Sequence, residues 1–560
     1  MKTDWWKSAV VYQIYPRSFA DSNGDGIGDL CGIIARLDYL AWLGVDALWL
    51  SPIYRSPNDD NGYDISDYRD IMTEFGTLAD FSELLAETHR RGMRLVMDLV
   101  VNHTSDEHPW FVESRASRDN PKRAYYVWAD GRDGGPPNNW RSWFHGSTWE
   151  LDPATGQYYL HLFSKKQPDL NWANPEVRRE IYEMMRWWLD QGIDGFRMDV
   201  INFIAKTAGY PDSVVEPSTL GERYAHVPGI ERYADTPHVH DYLQEMHREV
   251  LAHYDLMTVG ECHFLDPTRA ARYVAPERRE LGLLFQFDQI WAKGDRSALR
   301  RAIEDWYAEF RRHGAWTTIT LGNHDFPRLV SVFGAAGEAR TASAQLLATL
   351  LLTAPGTPFL YQGDEIGMAN VCWERAEDYD DIQSLGEYRE NLERGMPEAE
   401  ALARLQSISR DNARTPMQWS AEPHAGFTTG RPWLRVNDDY PRFNVAAQQQ
   451  DETSILEYYR RLIAFRKTEP CLVRGDFVPL SPDPGPYVFA REFDGTRLVV
   501  VLNWSSEPVT LSTTEWFDPD SAELVVTNLG APPIDAAHPG TLHLAPWHAC
   551  VFRTRAQATA

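Results

Sequence analysis

The sequence predicts an α/β fold: a (β/α)₈ TIM barrel with a subdomain inserted after the third strand and an antiparallel β-domain at the C-terminus. Short β-rich runs alternate with amphipathic helical stretches as far as residue 361, which is the pattern of a parallel sheet covered by helices. A long stretch rich in Trp, Asn, Gly and Pro interrupts this alternation after the third run. From about residue 475 onward the pattern is purely β.

Eight β-rich runs are the candidate barrel strands, and eight parallel strands are the number that closes such a barrel. They span residues 10–15, 47–50, 95–100, 195–200, 257–260, 284–287, 317–321 and 358–361. Stretches between them, such as 81–91 and 177–189, repeat apolar residues at helical spacing. We therefore assign residues 1–103 and 173–474 to the barrel.

Three segments fall outside the regular alternation. Residues 104–172 are too many for an ordinary strand-to-helix loop, so we predict a subdomain that leans over the C-terminal ends of the strands. The acidic stretch 378–403 has a helical pattern and is predicted to be a solvated excursion. Residues 475–560 are predicted to form a β-sandwich with strands at 487–493, 497–503, 523–528 and 543–553.

The composition excludes several classes of partner. The chain has 560 residues and a formal net charge of -26 at pH 7, and so acidic a surface repels nucleic acids and anionic membranes and suits a neutral ligand. Asp4 and Lys7 argue against a signal peptide, and no apolar run is long enough to span a bilayer. Five scattered cysteines without a Cys-x-x-Cys pair favour reduced thiols and a cytoplasmic location. We expect a monomer or a small homo-oligomer.

Polar side chains follow four of the predicted strands at the point where each strand ends. They are Asp98 and His103 after the third strand, Arg197 and Asp199 on the fourth, Glu261 after the fifth, and His324 and Asp325 after the seventh. Barrel active sites gather at these ends. A single aspartate there would more often cap a helix or join a salt bridge, and a single histidine would more often be structural. Their occurrence at four strand ends instead favours a shared catalytic site.

The order of these residues suggests different roles for two carboxylates. Arg197 and Asp199 are two positions apart on a strand and so share a face, which should lower the pKa of Asp199 and suit a nucleophile. Glu261 follows an apolar strand and is expected in drier surroundings that raise its pKa, as a general acid requires. Two carboxylates roughly 5 Å apart cleave a glycosidic bond with retention. Asp325 would then bind sugar hydroxyls.

Motif blocks with this order are specific to one family. DLVVNH (98–103), QPDLN (167–171), GFRMDVINF (195–203), GEC (260–262) and GNHD (322–325) occur in sequence. With WWKSAVVYQIYPRSF at the start and SRDNARTPMQW later, they cover nearly the whole chain. The chain resembles glycoside hydrolase family 13, the α-amylase family, and within it the group of oligo-1,6-glucosidases and dextran glucosidases. The resemblance implies an exo-acting α-glucosidase that releases glucose from the non-reducing end of short oligosaccharides.

The resemblance also implies roles for individual residues. Asp199 would be the nucleophile, Glu261 the acid/base and Asp325 the transition-state stabiliser, while Asp98 would orient Arg197. The long loop after the third strand would close one end of the cleft and make it a pocket. The residues implied to hold the terminal glucose are Asp60, Tyr63, His103, Phe144, Phe163, Gln167, Arg197, His324 and Arg410.

Val200, directly after the implied nucleophile, is the basis for predicting the linkage. In the group that this chain resembles, Val at this position accompanies α-1,6 preference, whereas smaller or polar residues accompany α-1,4 preference. The alternative is that Val200 is only a β-branched strand residue. Isomaltose-type oligosaccharides are therefore favoured. The sequence departs from close relatives at Gly322, at Phe326 and in the Cys–His–Phe run after Glu261, so contacts just outside the glucose pocket are expected to differ.

Residues 21–29 form a candidate calcium loop, because oxygen-bearing side chains occupy alternate positions and glycines allow a tight turn. A metal-free Asp/Asn/Gly turn is the alternative. The resemblance implies a structural Ca²⁺ held by the side chains of Asp21, Asn23, Asp25 and Asp29 and by the Ile27 carbonyl. Lys206 matches a lysine that in this group replaces the interdomain calcium of true amylases, which argues against a second metal.

Other functions agree with parts of the sequence. A transglucosylase or a sucrose isomerase would use the same glucosyl-enzyme, but family isomerases carry an Arg/Asp-rich run after the His-Asp motif. Here the run at 326–330 reads FPRLV and lacks the second Arg and the Asp. An α-1,4-preferring maltase stays open, and trehalose-phosphate hydrolysis would need a basic pocket that we cannot identify. A non-catalytic barrel of the transporter-chaperone type would carry a membrane helix and lack the acids.

Overall fold

Eight parallel strands form the barrel in the computed structural model, which describes residues 3–517, 521–530, 534, 538 and 540–555. The strands are β1 (Val11–Ile14), β2 (Ala47–Leu50), β3 (Arg94–Leu99), β4 (Gly195–Met198), β5 (Met257–Gly260), β6 (Leu283–Leu284), β7 (Thr318–Thr320) and β8 (Thr357–Tyr361). They pair in the order β6-β5-β4-β3-β2-β1-β8-β7. The predicted barrel is confirmed, although β4 and β6 end earlier than predicted.

Side chains bridge the seam between β6 and β7, where the described strands have no ladder pairing. Thr318 Oγ1 donates to the Leu284 carbonyl at 2.9 Å, and the Thr320 amide donates to Gln289 Oε1 at 2.9 Å. β6 is short because the chain turns directly into a helical segment at Phe287–Ile290. Buried backbone groups need partners, so these side chains complete the closure of the barrel.

Helices cover the outside of the barrel with one apolar face each. The predicted helices at 81–91 and 177–189 are observed as Leu78–Arg90, which starts with a Thr77/Asp80 capping box, and Pro175–Gln191. Apolar residues recur at helical spacing on the buried faces of both helices, which removes them from water. The other long barrel helices are Leu37–Leu43, Pro237–Glu249, Pro267–Val274, Arg296–Arg312, Arg340–Thr353 and Ile455–Thr468.

The inserted segment forms a small β-unit that packs on the barrel beside β4. It contains the helix Pro109–Ala116 and an antiparallel sheet of Trp128–Ala129, Trp149–Asp152 and Gln157–Leu160. Trp140 and Trp143 share a hydrophobic cluster with Val200, Phe203 and Tyr233. Lys206 Nζ contacts Asp169 Oδ2 at 2.7 Å and donates to Asn102 Oδ1 at 2.8 Å. A buried ion pair therefore links this unit to the end of β3.

The acidic stretch forms two helices, Ile382–Glu393 and Glu398–Ile408. The helical prediction is right, but the prediction of a solvated excursion is wrong for one face. Leu405 is buried in a cluster with Trp373 and Tyr379, and Asp381 and Asn391 are also buried. The spacing of the acidic residues leaves one face of each helix without charge, so this face can pack. It covers part of the barrel mouth.

The C-terminal residues form the predicted antiparallel β-domain. A five-stranded sheet has the order Asp476–Pro479, Tyr487–Phe493, Thr496–Leu502, Ala549–Arg555 and Glu523–Thr527, and Val509–Ser512 pairs with Thr541–Leu544 in a second sheet. The predicted single strand at 543–553 is wrong, because the chain turns at Trp547 with φ 58°. Val488, Val499 and Leu542 share one core between the sheets. Arg491 donates to the Thr353 and Ala354 carbonyls of the barrel.

Within the described residues, no helix combines the length and the apolar character needed to cross a membrane. The longest described helices, Pro175–Gln191 and Arg296–Arg312, each carry many charged residues.

Removing the imidazole of His108 tests how its burial links stability to pH. His108 is buried, caps the helix Pro109–Ala116 by accepting from the Trp110 amide at 3.1 Å, and burial lowers its pKa to about 3. The unfolded chain protonates this imidazole below about pH 6.5, whereas the folded form keeps it neutral. The contribution of His108 to the free energy of unfolding is therefore fully present above pH 6.5 and is lost on acidification. His108→Asn keeps a capping oxygen. Between pH 7 and pH 5 we expect the free energy of unfolding of this variant to fall by about 2 kcal/mol less than that of the wild type.

The measurement is the thermal midpoint of both proteins across that pH range. Buried carboxyl groups with raised pKa values, such as Asp364 at about 7, act with the opposite sign, so the histidine effect is read as a difference. Parallel pH curves for the variant and the wild type would contradict the prediction.

Candidate active site

The predicted site residues meet in one cavity of about 980 Å³ at the C-terminal ends of the barrel strands. Those that line it are Asp60, Tyr63, His103, Phe144, Phe163, Asp199, Val200, Glu261, Asp325 and Arg410. Gln167, Arg197 and His324 are buried just behind this surface and contact the lining residues. The structure thus brings together the whole predicted catalytic and sugar-binding set.

Arg197 is the centre of the site. Its Nη1 lies 2.7 Å from Asp199 Oδ1 and 2.9 Å from Asp98 Oδ1, and its Nη2 lies 2.6 Å from Glu261 Oε2. Arg197 and Asp98 are register partners on β4 and β3, and Glu261 directly follows β5. Adjacent parallel strands therefore deliver three carboxylates to one guanidinium group. This places Asp199 and Glu261 within hydrogen-bond reach of a common donor.

The pKa values of these two carboxyl groups differ from the prediction. Burial raises the pKa of Asp199 well above its ordinary value, Arg197 opposes this effect, and the neighbouring carboxylates of Glu261 and Asp98 add to it. Burial also acts to raise the pKa of Glu261, but Arg197 and His263 outweigh it and lower this pKa to about 2. The expected order of low Asp199 and high Glu261 is wrong in this structure, because one guanidinium group cannot neutralise three carboxylates equally.

A chain of hydrogen bonds fixes Tyr63 and His324. Gln13 Nε2 lies 2.8 Å from His324 Nδ1, and the other ring nitrogen, Nε2, lies 2.6 Å from the Tyr63 hydroxyl. An amide N–H can only donate, so the proton of His324 is on Nε2. Burial lowers the pKa of His324 to about 3, which keeps the ring neutral. The Tyr63 hydroxyl then donates to Asp98 Oδ2 at 3.1 Å.

A second guanidinium pair lies at the Asp325 side of the cavity. Arg414 Nη2 is 2.8 Å and Arg410 Nη1 is 3.4 Å from Asp325 Oδ1. Burial opposes ionisation of Asp325, but His324, Arg410 and Arg414 hold its pKa well below the usual range. Arg410 also contacts Asp60 at 3.2 Å and Asp381 at 2.6 Å. Asp325 is therefore ionised, with Oδ1 beside both guanidinium groups and Oδ2 3.2 Å from His324 Nε2.

Sequence reasoning missed four residues that hold this network. They are Gln13, His263, Asp381 and Arg414. Arg414 follows Arg410 by four positions, which is a helical-spacing signal that could have found it. Asp381 lies in the acidic stretch, where nothing distinguishes it from neighbouring carboxylates.

Aromatic and amide groups form the remaining wall. Gln167 Nε2 donates to Asp60 Oδ2 at 3.1 Å and lies 3.2 Å from His103 Nε2. Burial lowers the pKa of His103 to about 3, so its ring is neutral. Phe144 and Phe163 pack edge to face with ring centroids 5.6 Å apart. The wall combines neutral hydrogen-bonding groups with apolar rings, which suits a neutral polyhydroxylated ligand.

Val200 has a strained backbone instead of a strand conformation. Its φ of 34° and ψ of 41° are left-handed, a region that β-branched residues rarely adopt. Its amide donates to Glu261 Oε2 at 3.2 Å, and the Ile201 amide donates to the Glu261 carbonyl at 3.0 Å. The interpretation of Val200 as an ordinary strand residue is therefore wrong. Strain of this kind persists where the surrounding structure holds it in place.

The candidate calcium loop winds around its own side chains. Asp21 accepts from the amides of Asn23, Gly24 and Gly26, and Asn23 and Asp25 each accept from the amide two positions on. Asp29 caps the helix Leu30–Ala35 through the Gly32 amide. Among the described residues, no three His, Cys, Asp or Glu side chains converge closely enough to form a metal site. The loop is thus pre-shaped by Asx turns, and its carboxylates are spread along it.

A closed barrel with paired buried carboxylates at its strand ends is the arrangement that glycoside hydrolases with a (β/α)₈ fold use. The family model for the alpha-amylase catalytic domain matches residues 13–475. The chain belongs to the alpha-amylase family.

Relatives of named activity match over nearly the full length. The chain is 51% identical to an oligo-1,6-glucosidase from Parageobacillus thermoglucosidasius, with 99% of this chain and 100% of the relative covered. It is 44% identical to a glucan 1,6-alpha-glucosidase from Streptococcus dysgalactiae subsp. equisimilis, with 98% and 99% covered. Among solved structures, an isomaltulose synthase from Protaminobacter rubrum superposes with a TM-score of 0.92 at 40% identity, covering 99% of both chains.

Proposed function

We propose that this enzyme is an exo-acting, retaining α-glucosidase that releases glucose from the non-reducing end of short α-glucosides and prefers α-1,6 linkages. The observation that carries the proposal is the guanidinium group of Arg197, which holds Asp199 and Glu261 together at the base of the cavity. Close relatives named oligo-1,6-glucosidase and glucan 1,6-alpha-glucosidase support the substrate class.

The chemistry follows from two carboxylates that share one proton. Asp199 and Glu261 are close enough to titrate as a pair. Positive charge that develops on the anomeric carbon favours ionised Asp199, so the shared proton moves to Glu261 as the transition state approaches. Asp199 then bonds to the anomeric carbon while Glu261 protonates the departing oxygen, and water, deprotonated by Glu261, releases glucose.

The closed end of the cavity selects the terminal glucose. Asp325, Asp60 and Arg410 present charged hydrogen-bonding groups. The ring of Tyr63 forms a flat wall and stacks on His324 behind it, with ring centroids 5.4 Å apart and 7° between planes. The inserted unit and the helix Ile382–Glu393 both contribute lining residues. We infer that their closure leaves room for a chain end and excludes internal linkages.

A sucrose isomerase is the second candidate, because isomaltulose and trehalulose synthases are among the similar solved structures. These enzymes use the same fold, so fold alone does not separate the two activities. The run FPRLV after Asp325 lacks the second Arg and the Asp expected of isomerases, and Arg328 is buried and donates to the Gln362 and Asn412 carbonyls. Hydrolysis is therefore the favoured outcome.

We propose a small oligosaccharide as the substrate, a monomer or small homo-oligomer, no nucleic-acid or membrane partner, and a cytoplasmic location. All five cysteines are free, which fits a reducing compartment.

Product analysis on isomaltose, isomaltotriose, maltose and sucrose side by side tests the linkage proposal. We expect kcat/KM for isomaltose to exceed that for maltose at least about ten-fold, which corresponds to about 1.4 kcal/mol of transition-state discrimination. Sucrose is expected to give glucose and fructose and little isomaltulose. Predominant maltose hydrolysis would reject the role of Val200, and accumulation of a sucrose isomer would favour the second candidate.

Removing the nucleophile tests the mechanism. We expect Asp199→Asn to lower kcat by at least about 10⁴-fold, because no covalent glucosyl-enzyme can form, while the thermal midpoint stays within a few degrees. For the wild type, proton NMR of the first product should show α-glucose. Release of the β-anomer, or near-normal turnover by the variant, would contradict a retaining mechanism through Asp199.

We propose that the loop at 21–29 binds a structural Ca²⁺ through the side chains of Asp21, Asn23, Asp25 and Asp29 and the Ile27 carbonyl. The support is the alternation of oxygen-bearing side chains along this loop, together with the Asx turns at Asp21 and Asn23 that curve its backbone. Millimolar Ca²⁺ is expected to raise the thermal midpoint of EDTA-treated enzyme by several degrees, and Asp25→Ala should abolish this rise. An equal rise in the variant would reject the site.

A further inference from the structure

The residue two positions after Glu261 is a histidine that the proposed reaction does not use. His263 lines the catalytic cavity, and its Nε2 lies 3.4 Å from Glu261 Oε1. The other oxygen, Glu261 Oε2, accepts from Arg197 Nη2 at 2.6 Å and from the Val200 amide at 3.2 Å. The two oxygens of the acid/base carboxyl group therefore have different neighbours.

Packing holds the imidazole of His263 in one orientation. Its ring stacks on Phe287 with centroids 4.2 Å apart and 21° between planes. The ring centroid of Trp143 lies 5.0 Å from that of His263. Asn202 fixes the backbone by accepting from the His263 amide at 3.2 Å and donating to its carbonyl at 2.7 Å. The ring cannot turn away from Glu261 without breaking these contacts.

The surroundings also decide which ring nitrogen carries the proton. His263 Nδ1 is buried and has no hydrogen-bond partner among the described residues. An orphaned buried N–H is rarer than an orphaned acceptor, so the hydrogen is on Nε2. Burial lowers the pKa of His263, which keeps the ring neutral. A neutral N–H donor thus faces Glu261 Oε1.

We propose, resting on the acid/base role of Glu261 proposed above, that His263 is a positioning residue that directs the acid proton toward the departing sugar. Both neighbours of Glu261 Oε2 are donors, so the transferable proton must be on Oε1. The Nε2–H of His263 can donate to Oε1 but cannot accept from it. The proton on Oε1 is therefore left free to point into the cavity, and we expect the 3.4 Å contact to shorten when a sugar fills the site.

A pair of leaving groups separates this role from simple packing. Isomaltose must be protonated as its glycosidic bond breaks, whereas p-nitrophenyl α-glucoside leaves as a phenolate that needs little help. His263→Phe keeps a ring for Phe287 and removes the donor, and His263→Gln keeps an N–H donor. We expect His263→Phe to lower kcat/KM about ten-fold for isomaltose and less than about three-fold for the aryl glucoside, and His263→Gln to restore most of the loss.

Two further variants make the outcomes distinguishable. His240→Phe removes a buried histidine that contacts Glu280 at 2.8 Å away from the cavity, and it should leave the ratio of the two kcat/KM values unchanged. Glu261→Gln should show the same leaving-group dependence as His263→Phe, but larger. If His263→Phe does not fold, His263→Met fills the space without a donor and serves in the same comparison.

Each result bears on one proposal. Equal losses on both substrates in Glu261→Gln would reject Glu261 as the acid/base and with it the proposed function. Leaving-group dependence in Glu261→Gln, together with equal losses or no loss in His263→Phe, would overturn the role of His263 alone. A His263→Gln variant as impaired as His263→Phe on isomaltose would also overturn it.

Discussion

The ion-paired guanidinium group of Arg197 is the constraint on which the catalytic end of the barrel depends. It contacts Asp98, Asp199 and Glu261, which come from three adjacent strands. Burying a carboxylate without a partner costs several kcal/mol, so the three acids can share a dry cavity floor only with this cation between them. One positive charge cannot neutralise three carboxylates. The uncompensated negative charge favours a proton bound to the pair of Asp199 and Glu261.

A second set of buried charges gives the opposite wall its shape. Arg410 and Arg414 surround Asp325, and Arg410 also contacts Asp60 and Asp381. These residues come from the segment after β2, the end of β7 and the region beyond β8, so the network joins parts of the chain that are far apart in sequence. Because Asp381 opens the helix Ile382–Glu393, the same ion pair that orders the sugar-binding wall also fixes the helix that narrows the cavity mouth.

Directional hydrogen bonds and strain keep the polar groups in one arrangement. His103 and His324 are buried and neutral, and the sequence of donors from Gln13 through His324 and Tyr63 to Asp98 permits a single proton pattern. Val200 is held in a left-handed conformation that points its amide at Glu261. Fixed dipoles of this kind need little reorganisation when charge moves between the sugar and the two acids.

The pattern of residues along the chain was enough to predict the barrel, the C-terminal β-domain and the strand-end residues of the site, because strand periodicity and strand-end residues are local signals. Asp199, Glu261, Asp325 and Arg197 were all recognisable in this way. The balance of charge among them could be read only from the folded chain, since the pKa of each carboxyl group depends on burial and on neighbours from other strands. It also decided the backbone of Val200, the packing of the acidic helices over the cavity and the approach of His263 to Glu261. These features depend on distances between segments that have no fixed spacing along the chain.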